Sequence, residues 1–192
     1  MSAERTWVET EKGLKEEYPQ IYWQTLQACG ALLVLMPELQ ISQGIDALAR
    51  SAAFTGRADH RWATLLADLP EARAHGASER IKAPKAFAQL AAKVSAWRPK
   101  LKATLRDAEA CMALLRALDA LRRDEPFTGF CETLMALEQN SADAQAAIAL
   151  LKRARQAAKA VTAADFAGNG IEGPALGAAI EAGQIAQIAR VL

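Results

Sequence analysis

The sequence predicts an all-α fold, and three features support this. Alanine and leucine dominate a composition that is 52% hydrophobic, and both residue types favour helix. Runs of β-branched residues, which favour strands, are almost absent. Prolines stand just before apolar segments of helical spacing, as expected of first-turn prolines: Pro19, Pro84, Pro99 and Pro126. We therefore expect the 192 residues to form a multi-helix bundle.

In the first half of the chain, Ser2 predicts the start of one helix and Pro19 the start of the next. Two further helices are predicted over 44–56 and 59–69. Residues 69–80 contain few large apolar side chains and predict a loop. The second helix is expected to direct the following side chains toward a core: Ile21, Tyr22, Leu26 and Cys29.

In the second half, helices are predicted over 84–97, 99–123, 126–138 and 142–161. The glycine-punctuated remainder predicts a small helix–turn–helix tail. The longest of these helices has an apolar face built at three- and four-residue steps from Leu101, Leu105, Ala108, Met112, Leu115 and Leu118.

Composition excludes several classes of protein. The longest uncharged apolar stretch surrounds Cys29 to Met36, well short of the ~20 residues that a membrane span needs. The polar N-terminus lacks the apolar core of a signal peptide. The cysteines Cys29, Cys111 and Cys131 are scattered within apolar patterns, which indicates reduced core residues. The sequence therefore predicts a cytoplasmic protein with no membrane partner and no disulfide.

Charge is unevenly distributed although the net charge is only +1. Basic residues occupy the window from Ile81 to Arg106 without any acidic residue: Lys82, Lys85, Lys93, Arg98, Lys100, Lys102 and Arg106. A second cluster comprises Lys152, Arg153, Arg155 and Lys159. Such cations can neutralise RNA phosphates, and Trp97 beside them can stack on a base. The alternative interpretation is a solvated helix face, with the other tryptophans, Trp7, Trp23 and Trp62, in the core.

Glycines in the tail give a second candidate contact. Residues 168–173 match G-x-G-x-x-G, but no strand precedes them, which argues against a dinucleotide site. Gly173 and Pro174 instead predict a helix start with open backbone N–H groups, and Gly170 would let a phosphate approach. The alternative is a tight turn that serves only to pack a terminal hairpin.

Three stretches together resemble the C-terminal half of bacterial CCA-adding tRNA nucleotidyltransferases, of the poly(A) polymerase family. AERTWVETEKGL followed by PQIYWQTLQACGALLVLMPEL resembles the neck, with Arg5 and Glu9 matching its motif. GIDALARSAAFTGRADHRWATLLADL resembles the start of the attached HD domain, and DFAGNGIEGPALGAAIEAGQIAQIARVL resembles the tail. The resemblance implies neck-like helices over 1–40, an HD-like body over 41–160 and a tail hairpin over 161–192.

Two departures limit what the resemblance implies. Nothing matches the family's catalytic head, so no catalytic residue is predicted, and the chain alone is expected to add no nucleotides. The HD metal ligands are replaced: the first histidine position reads Asp46, the His-Asp pair reads Ala67-Asp68, and the histidine-rich loop retains only His75. A metal site needs several converging ligands, so we expect no metal and no other cofactor, and interpret Asp68 as a helix-end hydrogen-bond partner.

The sequence therefore predicts the tRNA-binding portion of a CCA-adding-enzyme-like protein with a degenerate HD domain. It would hold the acceptor and T-arm backbone of tRNA, and a separately encoded nucleotidyltransferase head is a second possible partner. The alternative function is a non-catalytic helical interaction module that has lost RNA binding. A residual phosphohydrolase is a third possibility, against which the missing histidines argue. Both histidines, His60 and His75, lie in polar sequence contexts and are assigned no chemistry.

Overall fold

The structure is a computed structural model that describes residues 2–40, 43–166 and 172–192. No strand occurs among these residues, and the prediction of an all-α multi-helix protein is confirmed. No helix within them is both long enough and apolar enough to cross a bilayer. The α-helices are α1 (Ala3–Lys15), α2 (Pro19–Ala28), α3 (Ala31–Leu35), α4 (Gly44–Ser51), α5 (Ala58–Leu66), α6 (Glu71–Arg80), α7 (Lys85–Trp97), α8 (Leu101–Thr104), α9 (Ala108–Ala117), α10 (Asp124–Leu137), α11 (Ala142–Lys159) and α12 (Gly173–Ala189).

The chain folds into two compact units. The first comprises Met1–Pro99 and Gly129–Asn140, and the second comprises Lys100–Thr128 and Ser141–Leu192. Short 3-10 helices supplement the α-helices at Pro37–Gln40, Arg98–Lys100 and Ala163–Phe166. The division into 1–40, 41–160 and 161–192 that the resemblance implies stays a prediction.

An aromatic cluster forms the centre of the first unit. Trp7, Trp23 and Trp62 are buried, as predicted. The rings of Trp7 and Trp62 meet edge to face with centroids 5.5 Å apart, and Phe87 meets Trp7 at 4.9 Å. Edge-to-face contacts add to the stabilisation that burial of these large side chains supplies. The indole N–H of Trp62 donates to Ser78 Oγ at 3.1 Å. This cluster joins α1, α2 and α5 to α6 and α7.

A buried arginine connects three parts of the first unit. Arg61 of α5 is 5% exposed. Its guanidinium donates to the carbonyl oxygens of Leu14 and Glu16, at the end of α1, at 2.7 Å each. It also donates to the carbonyl oxygens of Ala52 at 2.9 Å and Thr55 at 2.7 Å, which follow α4. One side chain thus caps the C-terminal ends of two helices, where carbonyl groups lack helical partners.

The loop predicted over 69–80 is wrong, because residues 71–80 form α6. Pro70 immediately precedes the helix and starts it, and the helix buries its small residues Ala74, Ala77 and Ser78 against neighbouring elements. Small residues at three- and four-residue spacing allow close approach to α7, with which α6 makes extensive contact. The lack of large apolar side chains therefore indicated close helix packing and not a loop.

The single long helix predicted over 99–123 is also wrong. The structure contains α8 and α9 instead, separated at Asp107. The Asp107 carboxylate caps α9 by accepting from the backbone N–H groups of Glu109 at 3.4 Å and Ala110 at 3.1 Å. Such caps satisfy donors that have no helical partner and mark a helix start. The predicted apolar side chains are nevertheless buried in the second unit: Leu101, Leu105, Met112, Leu115 and Leu118, with Ala108 half-buried.

Two side chains predicted to face the core are exposed. Ile21 is 54% exposed, and Cys29 lies at the exposed end of α2, because that helix buries Pro19 and Trp23 instead. The other two cysteines are buried, and all three are free thiols, as predicted. Burial raises the pKa of the Cys111 thiol to about 11, so it stays neutral at physiological pH.

Candidate nucleic-acid interface

One side of α7 carries a polar stripe that continues into an aromatic side chain. Lys85, Gln89, Lys93 and Trp97 recur at four-residue steps, with Lys85 and Gln89 exposed and Lys93 and Trp97 half-buried. Within the described residues, Lys85 and Lys93 make no ion pair. We call these four residues the α7 stripe. Sequence analysis missed Gln89, although its four-residue spacing from Lys85 was a readable signal. The other side of α7 is buried: Ala88, Ala91, Ala92, Val94 and Ser95.

Two other cations of the predicted basic run in the first unit are already paired. Lys82 donates to the carboxylate of Glu4, and this contact lowers the pKa of Glu4 to about 2. Arg98 Nη1 donates to Asp68 Oδ1 at 2.5 Å, and its Nε donates to Glu138 Oε1 at 2.7 Å. Burial alone would lower the pKa of Arg98, but the bonds to Glu138 and Asp68 outweigh it and raise the pKa. An RNA phosphate would have to compete with these carboxylates.

The Arg98 ion pairs line a groove of about 530 Å³ in the first unit. The prediction of Asp68 as a helix-end hydrogen-bond partner is confirmed, since it follows α5 and accepts from Arg98. One guanidinium faces two carboxylates here, so the groove carries net negative charge and repels phosphate. The remaining lining is mostly apolar or backbone: Ala67, Leu69, Pro70, Ser95 and Pro99.

The basic run continues in the second unit with Lys100, Lys102 and Arg106, all exposed. Lys102 Nζ lies 3.0 Å from Asp143 Oδ2, an exposed pair that solvent screens strongly. Arg106 makes no ion pair with any described residue. Arg106 is therefore an available cation for a phosphate in this part of the basic run.

The basic cluster on α11 separates into paired and unpaired cations. Arg155 and Lys159 both contact the carboxylate of Asp124, Lys159 at 3.2 Å. These contacts, Arg155 first, lower the pKa of Asp124. Arg155 also donates to a backbone oxygen and stacks over Phe127 with 4.5 Å between guanidinium carbon and ring centroid. The remaining cations of the cluster are exposed and make no ion pair within the described chain: Lys152 and Arg153.

The tail presents an open helix start. Gly173 has φ +59° and is exposed, and it begins α12 with Pro174 in the first turn. No side chain caps this helix, so its first N–H groups are without a side-chain acceptor. The preceding residue, Glu172, is exposed and acidic, which weakens the attraction for an anion. Gly170, the other predicted phosphate contact, lies outside the described residues.

The neck residues Arg5 and Glu9 lie one turn apart on α1, and both are exposed. Glu9 Oε1 accepts from Lys12 Nζ at 2.9 Å. Among the described residues, no three His, Cys, Asp or Glu side chains lie close enough together to hold a metal ion. The lack of a metal site stays a prediction, as does the lack of a catalytic residue.

His60 is buried, although its neighbours in the sequence are charged or polar. It is 1% exposed, with Nδ1 3.3 Å from Thr55 Oγ1 and Nε2 3.8 Å from Glu132 Oε2. Burial lowers the pKa of His60 below its ordinary 6.5, and Asp59 and Glu132 offset this only in part. His75 by contrast is exposed beside Glu79.

We expect acid to destabilise the first unit through His60. The folded state holds this imidazole neutral, whereas the unfolded chain protonates it below about pH 6.5, so the free energy of unfolding falls as the pH drops through that value. Urea unfolding at several pH values should show less acid destabilisation in His60→Gln than in the wild type. His75→Gln is the matched control and should keep the wild-type dependence. An unchanged pH profile in His60→Gln would contradict this expectation.

The chain is similar to known proteins over nearly its whole length. Residues 1–42 match the family model described as the probable RNA- and SrmB-binding site of polymerase A. The CCA-adding enzyme of Pseudomonas putida is 34% identical over 187 residues, which cover 94% of this chain and 49% of that protein. The multifunctional CCA protein of another Pseudomonas putida strain is 34% identical over 94% of this chain and 50% of its own length.

A third relative extends the same pattern beyond one genus. The CCA-adding enzyme of Marinobacter nauticus is 32% identical over 98% of this chain and 52% of its own length. The chain thus spans about half the length of the curated relatives it matches. No solved structure matches it significantly.

Proposed function

Because this chain belongs to the family of the bacterial CCA-adding enzymes, we propose that it is a tRNA-binding helical body. The family model that matches residues 1–42 is described as a probable RNA-binding site, and the relatives are named CCA-adding enzymes. In this proposal the chain binds the acceptor and T-arm backbone and performs no chemistry of its own. It corresponds to the half of the relatives that lies outside their catalytic head.

The α7 stripe is the observation that carries the proposal. Lys85 and Lys93 hold positive charge on one helix face without a carboxylate partner in the described chain. Phosphate contacts of this kind supply most of the affinity in shape-directed RNA binding, because they release condensed counterions. Trp97 follows at the same spacing and offers a partly exposed ring to a base or ribose. The stripe therefore combines the two chemistries that single-stranded and helical RNA require.

The second unit supplies further candidate phosphate contacts. Arg106, Lys152 and Arg153 are exposed and without ion pairs in the described chain. The start of α12 at Gly173 has no side-chain cap, so the backbone N–H groups of its non-proline first residues suit an anion, with Pro174 contributing only its fixed helical geometry. Lys82, Arg98, Lys102 and Arg155 contribute less, because carboxylates already contact them.

The absence of catalysis is part of the same proposal. The chain spans about half of its relatives, and the positions that resemble HD ligands read Asp46, Ala67 and Asp68. Asp46 is exposed, and Asp68 is held by Arg98. These observations support a binding role in which the scaffold has kept its cations and lost its metal ligands.

A salt titration of tRNA binding tests the proposal. We expect Lys85→Ala/Lys93→Ala to weaken binding about tenfold at low salt, and to reduce the slope of log affinity against log salt by about 1.5 units, because each lysine neutralises one phosphate. Filter binding of full-length chain to tRNA at several salt concentrations measures both. Lys12→Ala/Lys15→Ala is the matched control: it removes the same charge from α1, where each lysine pairs with a glutamate.

Equal losses in the two double variants would mean that net charge alone acts and would refute the α7 stripe as the interface. No salt-dependent binding by the wild type would refute tRNA binding altogether. The second result would favour the other candidate function, a helical interaction module.

A further inference from the structure

A turn between α9 and α10 presents two consecutive arginines to solvent. α9 ends at Ala117, and Asp119 takes the left-handed backbone conformation with φ 50°. The N–H of Asp119 donates to the carbonyl oxygen of Arg116 at 2.8 Å. The carbonyl oxygen of Asp119 accepts from the N–H groups of Arg122 at 3.2 Å and Arg123 at 2.9 Å. These bonds fix the backbone of the turn, while both arginine side chains are exposed.

Arg155 fastens this turn to α11. Its Nε donates to the carbonyl oxygen of Ala120 at 2.7 Å, and its Nη2 donates to the carboxylate of Asp124. The guanidinium also lies over the ring of Phe127, and only 15% of the side chain is exposed. Arg155 is therefore a structural residue with little capacity left for a ligand. Its contacts place the turn beside the C-terminal half of α11.

A third cation, Lys159, lies next to the two arginines. Its Nζ is 3.2 Å from Asp124 Oδ1, and Asp124 follows Arg123 directly in the chain. Consecutive Cα atoms are only about 3.8 Å apart, so the lysine and both arginine side chains can reach a common point at the surface. We call these three cations the turn cluster: Arg122, Arg123 and Lys159. Direct contacts and chain connectivity thus bring the turn cluster together on one surface of the second unit.

The turn cluster has few carboxylate partners. Arg122 makes no ion pair with any residue that the structure describes. Arg123 Nη2 lies 3.8 Å from Glu125 Oε2, and solvent screens this pair because both side chains are more than half exposed. Residues 118–125 and 151–159 together carry six cations and three carboxylates. Positive charge therefore prevails at this surface, which attracts an anion.

Asp124 occupies a position that suits a phosphate. Its carboxylate accepts from Arg155 and Lys159, and its side chain is 75% exposed. A phosphate oxygen makes the same charge-assisted hydrogen bonds to guanidinium and ammonium groups as a carboxylate oxygen does. Because the carboxylate lies at the surface, a phosphate can replace it at Lys159 without opening the core.

We propose that the turn cluster binds the phosphodiester backbone of RNA, and that Asp124 competes with the phosphate for Lys159. Arg122 and Arg123 contribute guanidinium groups, each of which can hold a phosphate through two parallel N–H···O bonds. The site deepens the proposed function and rests on it, since that function supplies the RNA. It shares no residue with the α7 stripe, so each site can be tested without the other.

Filter binding of the full chain to tRNA at several salt concentrations tests the site. We expect Arg122→Ala/Arg123→Ala to weaken binding about tenfold at low salt and to reduce the slope of log affinity against log salt by about 1.5 units, because two phosphate contacts are lost. Asp124→Asn should tighten binding about threefold, since it removes the competing charge. Arg50→Ala/Arg73→Ala is the matched control: it removes two exposed arginines of the first unit and should bind like the wild type.

Equal losses in the two double variants would assign the effect to net charge and overturn the proposal. Unchanged or weaker binding by a folded Asp124→Asn variant would overturn the competition, and thermal unfolding of each variant identifies any loss of fold. Inorganic phosphate is the probe for a free ligand. Calorimetric binding of phosphate that Arg122→Ala/Arg123→Ala abolishes, with tRNA affinity unchanged, would assign the site to free phosphate and not to RNA.

The proposed function fails separately from this site. If the wild type binds no tRNA, both are refuted. If Lys85→Ala/Lys93→Ala weakens tRNA binding and Arg122→Ala/Arg123→Ala does not, the turn cluster alone is refuted and the proposed function stands.

Discussion

Replacing Arg61 with alanine is expected to destabilise the protein by about 3–5 kcal/mol. The guanidinium is 5% exposed and donates to four backbone carbonyl oxygens. Alanine would leave those carbonyls without partners in a site that water enters poorly, and each unsatisfied group costs on the order of 1 kcal/mol or more. Loss of side-chain volume adds a cavity contribution.

Urea unfolding followed by circular dichroism measures this loss. The matched control is Arg57→Ala, which removes an arginine four residues away whose side chain is exposed and pairs with Asp59 at 2.7 Å. Exposed pairs contribute little, so this variant should lose less than about 1 kcal/mol. Arg61→Lys should fall between them, because one ammonium cannot reach all four oxygens. Similar losses in Arg57→Ala and Arg61→Ala would show that the carbonyl bonds contribute no special stability.

The role of Arg61 could not be predicted from the sequence. Arginine is ordinarily a surface residue, and the pattern around α5 gives no sign that this one points inward. Its partners are backbone oxygens of α1 and of the segment after α4, one of them 47 residues away. Backbone groups have no sequence signature, so only the fold reveals them. The same holds for His60, which is buried despite charged neighbours in the sequence.

Helical periodicity predicted the core correctly in segments where large apolar side chains recur at helical spacing. Trp7, Trp23 and Trp62 are in the core as expected, and so are Met112 and Leu115. The errors occurred where a helix packs through small side chains or where a single residue ends a helix. α6 packs through alanines, which a count of large apolar residues overlooks, and α8 separates from α9 at a single capping aspartate inside one continuous apolar pattern.

The sequence shows which residues of the candidate interface are basic, but not which of these cations are available to bind a phosphate. In the sequence, every cation of a run without acidic residues looks available to a phosphate. In the structure, carboxylates from distant parts of the chain pair with some of these cations: Lys82 pairs with a residue 78 positions away, and Arg98 with one 40 positions away. Long-range ion pairs therefore reduce the predicted set to members such as Lys85, Lys93 and Arg106.

Arg98 provides the sharpest test of that distinction. We expect Arg98→Met to destabilise the protein by about 2 kcal/mol, because it removes two charge-assisted bonds and leaves Asp68 and Glu138 to repel each other. Partial exposure of all three side chains, between 28% and 34%, keeps the loss below that of a fully buried pair. Urea unfolding measures the change. Adding Glu138→Gln should recover part of it, since one unpaired carboxylate is then removed.

Lys93→Met on the same helix is the matched control for function. If Arg98 acts through its carboxylates, Arg98→Met lowers stability and leaves tRNA affinity nearly unchanged. Lys93→Met should do the reverse, because Lys93 has no ion pair in the described chain. A loss of tRNA affinity in Arg98→Met equal to that in Lys93→Met would instead return Arg98 to the RNA interface. Filter binding and urea unfolding therefore give a tRNA affinity and a stability for each variant. The ion pairs of Arg98 require that Arg98→Met lose stability and keep tRNA affinity, and that Lys93→Met lose tRNA affinity and keep stability.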